Sequence, residues 1–278
     1  MEILHQLQLT LWHFAPDILR SCIQLLILIV IFTPLELLCS IHAKQILRKA
    51  WLTDLAYYFL NGLFSKSLLV LPTTWLALLL AEAIPAEVRA WGTGLSLPAR
   101  IAATMLVGEI GYYWGHRWMH EIPWLWRFHA IHHSAEGLDW LVNTRAHPVD
   151  MMFTRLCGFV PMYALGLVQP LGKSLDWVLL MVIFIGLLWG FFIHANLRWR
   201  FGWLEWLIST PAFHHWHHNK EGFAYYNKNY APMLPCIDLI FGTFYLPKKQ
   251  WPSLYGITEA MPANMLRQLL EPFAFRKR

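Results

Sequence analysis

Charge is what this sequence has least of. Asp, Glu, Lys and Arg make up 14% of its 278 residues, where an ordinary soluble domain carries roughly a quarter. Hydrophobic residues supply 57% and the mean hydropathy is +0.40, so a bilayer is the expected surrounding. Cysteine is equally sparse. Cys22, Cys39, Cys157 and Cys236 lie far apart with no CxxC, which excludes a disulfide framework and a thiolate zinc site and leaves small buried hydrophobes as the expected role. The net charge of +5 and pI near 9.0 come from basic residues spread among apolar stretches. No Lys/Arg run or nucleic-acid module accompanies them, so nucleic acid is excluded as a partner. No GxGxxG, flavin-binding pattern or cytochrome b5-like haem motif occurs. HExxH is absent too, and the nearest match, HRWMH, lacks the glutamate base of a zinc protease. Glu2, His5 and Asp17 precede the first apolar run without a basic n-region, so no cleaved signal peptide is expected.

What is present in abundance is aromatic and aliphatic. Trp 16, Phe 17 and Tyr 10 suit the boundary between hydrocarbon and headgroups. Five stretches, about 22–39, 55–82, 99–119, 150–168 and 175–194, approach or exceed the roughly 20 residues a spanning helix needs. The second is overlong and contains Lys66 and Pro72, which predicts a kinked span or a re-entrant pair. The expected fold class is all-α: a polytopic membrane helical bundle of about 4–6 spans with a cytoplasmic, histidine-rich helical cap. Cytoplasmic loops carry the excess of Lys and Arg. Placing the N-terminus outside puts Lys44, Arg48, Lys49, Arg117, Arg127, Arg145 and every basic residue from Arg198 onward inside, leaving Arg20, Arg89, Arg100 and Lys173 outside. The tail, about 258–278, has apolar residues among polar ones and ends in Arg276, Lys277 and Arg278. It suits an interfacial helix or a solvated surface helix.

Histidine carries the chemical argument. Of 14 histidines, all but His5, His13 and His42 lie between residues 116 and 218, and these three are read as structural hydrogen-bonding groups. HRWMH contributes His116 and His120, HAIHH contributes His129, His132 and His133, and HHWHH contributes His214, His217 and His218 with His215 between them. Steps of three and four residues put imidazoles on one helical face, a turn apart. His147 and His194 add single candidates. Burying so many rings without partners is costly, and one zinc needs only three or four protein ligands, so the number points to two metals. Haem, with its two axial ligands, does not call for HxxHH triplets. A metal transporter would hold its ligands near the midplane between repeats, whereas these gather at one surface. Glu109 precedes His116 by seven residues, on nearly the same helical face, and is expected to orient His116 or His120 through a ring N–H.

The ordered set EIGYYWGHRWMH, RFHAIHHS, NTRAHPVD, FIHANLRW, TPAFHHWHHN and NYAPMLPCIDLIFGTF, from Glu109 to Leu246, resembles the membrane-bound fatty acid hydroxylase and sterol desaturase superfamily. The resemblance implies a catalytic domain over 99–247, with membrane spans in 1–98 before it and a basic tail in 248–278 after it. It implies two non-haem iron ions held by His116, His120, His129, His132, His133, His147, His194, His214, His217 and His218. Carried over residue by residue, His116, His129, His132, His214 and His217 would favour one iron, and His120, His133, His194 and His218 the other. His147 is open between direct ligand and outer support, and His215, off the pattern, falls to outer support or an exposed position. Where some relatives have a histidine pair this chain has His194 and Asn196, and a water on Asn196 would complete that shell. Asn143, Arg145, Asp150, Asn229 and Asp238 match family positions and are expected to brace the cap. The implied activity is O2-dependent hydroxylation or desaturation of a membrane lipid, or ether-lipid cleavage. Since the chain has no cofactor fold of its own for electrons, a separate ferredoxin or cytochrome b5 type donor with its reductase is implied.

Overall fold

The computed structural model describes residues 2–42, 48–65, 71–169, 176–220 and 227–274. Lys44, Lys66, Lys173 and the terminal Arg276, Lys277 and Arg278, with the side chains of His5 and His13, lie outside the described residues. Those described form an all-α fold in this order: α1 (Glu2–Cys39), α2 (Trp51–Ser65), α3 (Leu71–Ala83), α4 (Ala86–Thr93), α5 (Leu97–Glu121), α6 (Pro123–His133), α7 (Pro148–Ala164), α8 (Trp177–His194), α9 (Pro211–His217), α10 (Cys236–Ile240) and α11 (Met265–Leu270).

Among the described residues two helices are long and apolar enough to cross a membrane, α1 over Ala15–Cys39 and α8 over Trp177–His194. Their apolar windows are only 17% and 28% buried, far more exposed apolar surface than a soluble protein tolerates. The stretch expected at 55–82 divides into α2 and α3, of 15 and 13 residues. At 1.5 Å per residue each reaches only about 20 Å, short of a bilayer core of roughly 30 Å. α5 has 25 residues but carries Arg100, Glu109, His116, Arg117 and His120. α7 has 17 and carries Asp150 and Arg155.

Prolines set where the histidine helices begin. Ile122 is extended (φ −93°, ψ 114°) ahead of Pro123, which opens α6 directly after α5, because a residue before proline is pushed out of the helical region. The chain therefore turns sharply between His120 and His129. Pro148 and Pro211 open α7 and α9 at the position where a missing N–H costs nothing. Thr210 caps α9 by accepting from the Phe213 N–H, and Asp176 caps α8 by accepting from Val178 and Leu179.

α5 and α7 cross with their backbones nearly touching. Gly108, Gly111 and Gly115 form a stripe on α5 at helical spacing. A Cβ on Gly111 would sit 2.1 Å from the Cys157 carbonyl oxygen, and one on Gly115 would sit 2.8 Å from Cys157 Cβ. Gly158 answers from α7, where a Cβ would lie 3.1 Å from the Gly108 oxygen. This is the small-residue packing that lets apolar helices approach closely. Cys157 thus fills a helix crossing, but the cysteines are not uniformly buried as expected: Cys22 is exposed and the others are half-buried, all with free thiols.

Buried carboxylates tie the N-terminal helices to later segments of the chain. Glu36, fully buried near the end of α1, accepts from the backbone N–H of Trp140 and of Asn196, each at 2.9 Å. Asp54, fully buried on α2, accepts from Arg145 Nε at 2.5 Å and from Arg48 Nη2. Arg48 also bonds Asp139 at 2.8 Å. Around these ties Leu28, Phe32, Tyr58, Trp140, Phe191 and Leu197 form one apolar cluster. The tail is not a detached surface helix, since Phe273 rests on Phe128 and on the His147 ring.

The Gly111→Ala protein should be less stable than the parent by about 1–3 kcal/mol, the usual cost of overpacking, because the helices must separate to admit the methyl group. Thermal unfolding in mild detergent measures this, and an unchanged midpoint would contradict the close crossing.

Candidate metal centre

The histidines converge in two buried groups. His116 and His120 at the end of α5, His129 and His133 on α6, and His217 on α9 form the first. His132 on α6, His194 closing α8, and His214 and His218 on and just after α9 form the second. Within each group one ring nitrogen per residue lies within 4.8 Å of all the others. The groups adjoin: the His133 and His218 rings stack with centroids 4.3 Å apart and planes 24° apart.

This division differs from the one the family resemblance suggested, which put His132 and His214 with His116. Helix geometry explains it. A four-residue step overshoots a full turn by about 40°, whereas a three-residue step falls about 60° short. Accordingly His116/His120, His129/His133 and His214/His218 stay together, while His129/His132 and His214/His217 are divided between the groups.

The outer nitrogens determine what the inner ones can do. Nδ1 of His116 lies 2.7 Å from the Tyr230 carbonyl, of His132 2.9 Å from Arg145 O, of His194 2.7 Å from Gly190 O, and of His217 2.8 Å from Lys228 O. Nδ1 of His129 lies 2.9 Å from Asp150 Oδ2. A carbonyl or carboxylate oxygen only accepts, so Nδ1 carries the hydrogen in all five rings and a neutral ring presents Nε2 as a bare lone pair. The lone pairs of His116 and His129, and of His132 and His194, face each other, and the Nε2 atoms of His133, His214 and His218 close on them. Nε2 to Nε2 separations are 3.1 Å for His116–His129, 3.2 Å for His133–His129, 3.1 Å for His194–His132, 3.0 Å for His214–His194 and 3.1 Å for His218–His214. His120 and His217 each bury an Nε2 with no hydrogen-bond partner. Burial, helped by the neighbouring rings, lowers His132 to about 3 and takes His133, His214, His217 and His218 well below the usual imidazole value. These five rings are thus neutral, the form that binds metal. A cation in each group satisfies facing lone pairs that would otherwise repel, and a set built only from imidazoles suits iron, copper, nickel or zinc.

His147 does not join either group. Its Nδ1 accepts from the Val149 N–H as the cap of α7, and its Nε2 donates to Leu269 O at 3.2 Å, so both nitrogens are occupied and the expectation of a ligand is corrected. Glu109 is also corrected. It accepts from the backbone N–H of Met233 (2.5 Å) and Leu234 (2.8 Å) rather than from a histidine. Together with Asp238, which accepts from Tyr230 and Ala231 N–H, it fixes the strip whose Tyr230 carbonyl holds His116. Asn196 holds no water for the second group, since Oδ1 accepts from the Ile41 and His42 N–H and Nδ2 donates to His42 O. His215 is fully buried, bonding Tyr255 Oη (2.8 Å) and Ala195 O (3.1 Å).

The carboxylate role sought in Glu109 belongs to Asp150, which sequence reading had among the general braces. Nothing in HPVD places its side chain on His129 before α7 is docked. Asn143 packs closely against Gly190, where a Cβ would lie 2.8 Å from its Oδ1, the residue whose carbonyl holds His194. Asn229 donates to Phe213 O and Tyr245 O, fixing α9. Asp54 and Glu36 were missed, although Asp54 is the lone carboxylate of α2 and Glu36 follows a long apolar run of α1, and that is itself a signal.

A family model described as fatty acid hydroxylase matches residues 101–243, the stretch that holds every histidine of both groups. The chain is 38% identical over 189 residues to the ornithine lipid hydroxylase OlsE of Rhizobium tropici, a match covering 68% of this chain and 54% of that protein. It is 33% identical over 170 residues to the alkylglycerol monooxygenase of Xenopus tropicalis, covering 61% and 34%. Over 144 residues it is 27% identical to the very-long-chain aldehyde decarbonylase GL1-5 of Oryza sativa subsp. indica, covering 49% and 22%. The chain spans about half the length of the first of these relatives and less of the others. No solved structure matches it.

Replacing Asp150 by Asn should weaken metal retention about 10- to 100-fold, the usual effect of losing a carboxylate behind a histidine ligand, while Glu109→Gln leaves it nearly unchanged. Chelator competition on the two purified proteins measures both, and equal losses would refute the assignment.

Proposed function

Because the chain belongs to the fatty acid hydroxylase family, we propose that it is a membrane-bound di-iron oxygenase that hydroxylates or desaturates a lipid, using dioxygen and electrons supplied by another protein. The observation that carries this reading is the pair of adjoining all-imidazole groups with inward Nε2 atoms. When bound, two iron ions supply the redox chemistry needed to break an unactivated C–H bond, which zinc lacks. His116, His120, His129, His133 and His217 would hold one, and His132, His194, His214 and His218 the other.

The chain's own residues orient and enclose. Asp150 and the carbonyls of Tyr230, Arg145, Gly190 and Lys228 fix the ring tautomers, and burial keeps bulk water from the imidazoles. Exposed Trp118, Trp124, Trp203 and Trp206 flank the histidine region, as rings do at a headgroup boundary. Together with the bare flanks of α1 and α8 they support a membrane protein, and the excess of Lys and Arg in the histidine-bearing segments supports the N-terminus outside and the histidine cap at the cytoplasmic surface. There a lipid enters from the bilayer with its polar end at the interface. The basic face of that cap suits an acidic ferredoxin or cytochrome b5 type carrier. Similarity to the alkylglycerol monooxygenase favours a second reading within the same chemistry, an ether-lipid monooxygenase.

Protein purified in mild detergent should contain about two iron ions per chain, one per histidine group, without a Soret band, and a His132→Ala/His217→Ala variant should lose iron. Lipid extracts of cells with and without the protein should differ by the gain of one oxygen or the loss of two hydrogens in one lipid class. Haem, or stoichiometric zinc without iron after iron-replete growth, would overturn the metal assignment.

A further inference from the structure

His215 is the one histidine of the HHWHH run that neither group uses, and it is fully buried. Its ring meets the Trp251 ring edge to face, with centroids 5.4 Å apart and planes 81° apart. Trp251 is half-buried, so this contact joins the protein surface to the chain neighbour of His214. A second link runs to the same group, since His215 Nε2 lies 3.1 Å from the carbonyl of Ala195, the residue after His194. Just before Trp251, the Gln250 carbonyl accepts from Trp216 Nε1 at 3.3 Å, and Trp216 is the chain neighbour of His217. Segment 247–251 thus rests on both central residues of HHWHH. Arg200 holds it there: Nη1 donates to Pro247 O (3.4 Å) and Gln250 O (3.5 Å), while Nε is bound to buried Glu205 at 3.0 Å.

The surface over this contact is basic. Lys248 and Lys249 are exposed and make no ion pair among the described residues. From Leu197 to Thr258 the exposed charged side chains among those described are Arg198, Lys248 and Lys249, while the acids Glu205 and Asp238 are buried. The exposed Glu136 abuts Gly256, at the far end of this stretch. An aromatic ring with cations at its rim is the make-up of a protein-docking patch, in which charge steers the encounter. An anionic bilayer also attracts lysines. The tryptophan favours a protein, because it lies against His215, whereas Trp203 at 72% and Trp206 at 56% exposure are the rings that stand out as headgroup contacts do.

We propose that Lys248, Lys249 and Trp251 form the docking surface for an acidic electron-carrier protein, and that Trp251 and His215 are the path by which its electron reaches the second histidine group. The proposal rests on the reading of the protein as an oxygenase fed by an external donor, and it assigns the place where that donor binds. In each encounter the reduced centre of the carrier loses one electron and an iron ion held by His132, His194, His214 and His218 gains it. Two encounters supply the pair of electrons for one turnover, and no bond forms or breaks along the path. Electron transfer falls steeply with distance, so rings in contact matter where the histidines themselves are buried.

An acidic plant-type ferredoxin and an acidic cytochrome b5 serve as probes against the iron-loaded protein in neutral detergent. Calorimetry measures docking of the oxidised carriers. Rapid mixing with the reduced carriers, without oxygen or lipid, measures transfer through the carrier's own absorbance. Lys248→Gln/Lys249→Gln should weaken docking about tenfold at low salt, the scale of lost electrostatic steering, and match the parent at high salt, where both are screened. Its reduction by dithionite, which needs no docking, should be unchanged. Trp251→Leu should dock yet lose most of the transfer rate, and Trp251→Phe, which keeps a ring against His215, should restore it. Equal iron content in all variants shows that the histidine groups are intact. Neither carrier docking on the parent at low salt would overturn the proposal, as would parental docking by the lysine variant. If that variant instead loses affinity only for phosphatidylglycerol vesicles, the lysines are a membrane contact and the proposal falls. Parental transfer in Trp251→Leu would remove the path. The oxygenase reading fails separately: lysine-dependent docking and transfer with no oxidised lipid in cells counts against the enzyme and not the docking surface.

Discussion

The structure depends on where a hydrogen sits on an imidazole. Five rings donate Nδ1–H outward, four to backbone carbonyls and one to Asp150, and only then do their Nε2 lone pairs point inward to common centres. Three of the four accepting residues are held in turn. Tyr230 sits on a strip clamped by Asp238 and Glu109, Arg145 is anchored by Asp54, and Gly190 is pressed against Asn143. A buried cluster of neutral imidazoles would otherwise be an expensive collection of repelling dipoles. Here the backbone supplies the order, and the cation it awaits supplies the compensation.

The helices around the cluster are arranged to deliver those carbonyls. The turn at Ile122–Pro123 folds α6 back so that two pairs four residues apart meet. The glycine stripe of α5 draws in α7 and so brings Asp150 to His129. Glu36 joins α1 to both Trp140 and Asn196, so the apolar N-terminal helix is fastened to the histidine region through one carboxylate. Polar groups on apolar helices thus serve mainly to fix segments of backbone, and the metal centre profits at one remove.

Much of this was legible in the sequence, and the parts that were not share a cause. The all-helical class, the histidine-rich region and eight of the nine histidines in the two groups follow from residue types at steps of three and four, with His194 standing alone. The division of the histidines did not, because it was carried over residue by residue from the family resemblance, without weighing that a four-residue step keeps two rings nearly in line while a three-residue step turns them apart. Glu109 was assigned to the cluster by its helical face, and Asn196 and His147 by the family resemblance, yet each side chain found a backbone partner. Polar side chains one turn from a site more often brace the backbone than touch the chemistry, and spacing cannot tell the two apart. The overlong stretch at 55–82 shows a further limit: hydropathy measures how apolar a segment is and says little about where it breaks.

The division of the histidines also constrains assembly. Neither group is complete on any one segment. The first draws on α5, α6 and α9, and the second on α6, α8 and the end of α9, so both require residues some hundred positions apart along the chain to be in place together. A chain still being synthesised can fold α5 against α6, but it holds at most part of each ligand set until His217 and His218 have emerged. Both groups are therefore completed at nearly the same moment, late in synthesis, when α9 and the residue after it supply His217 to the first and His214 and His218 to the second.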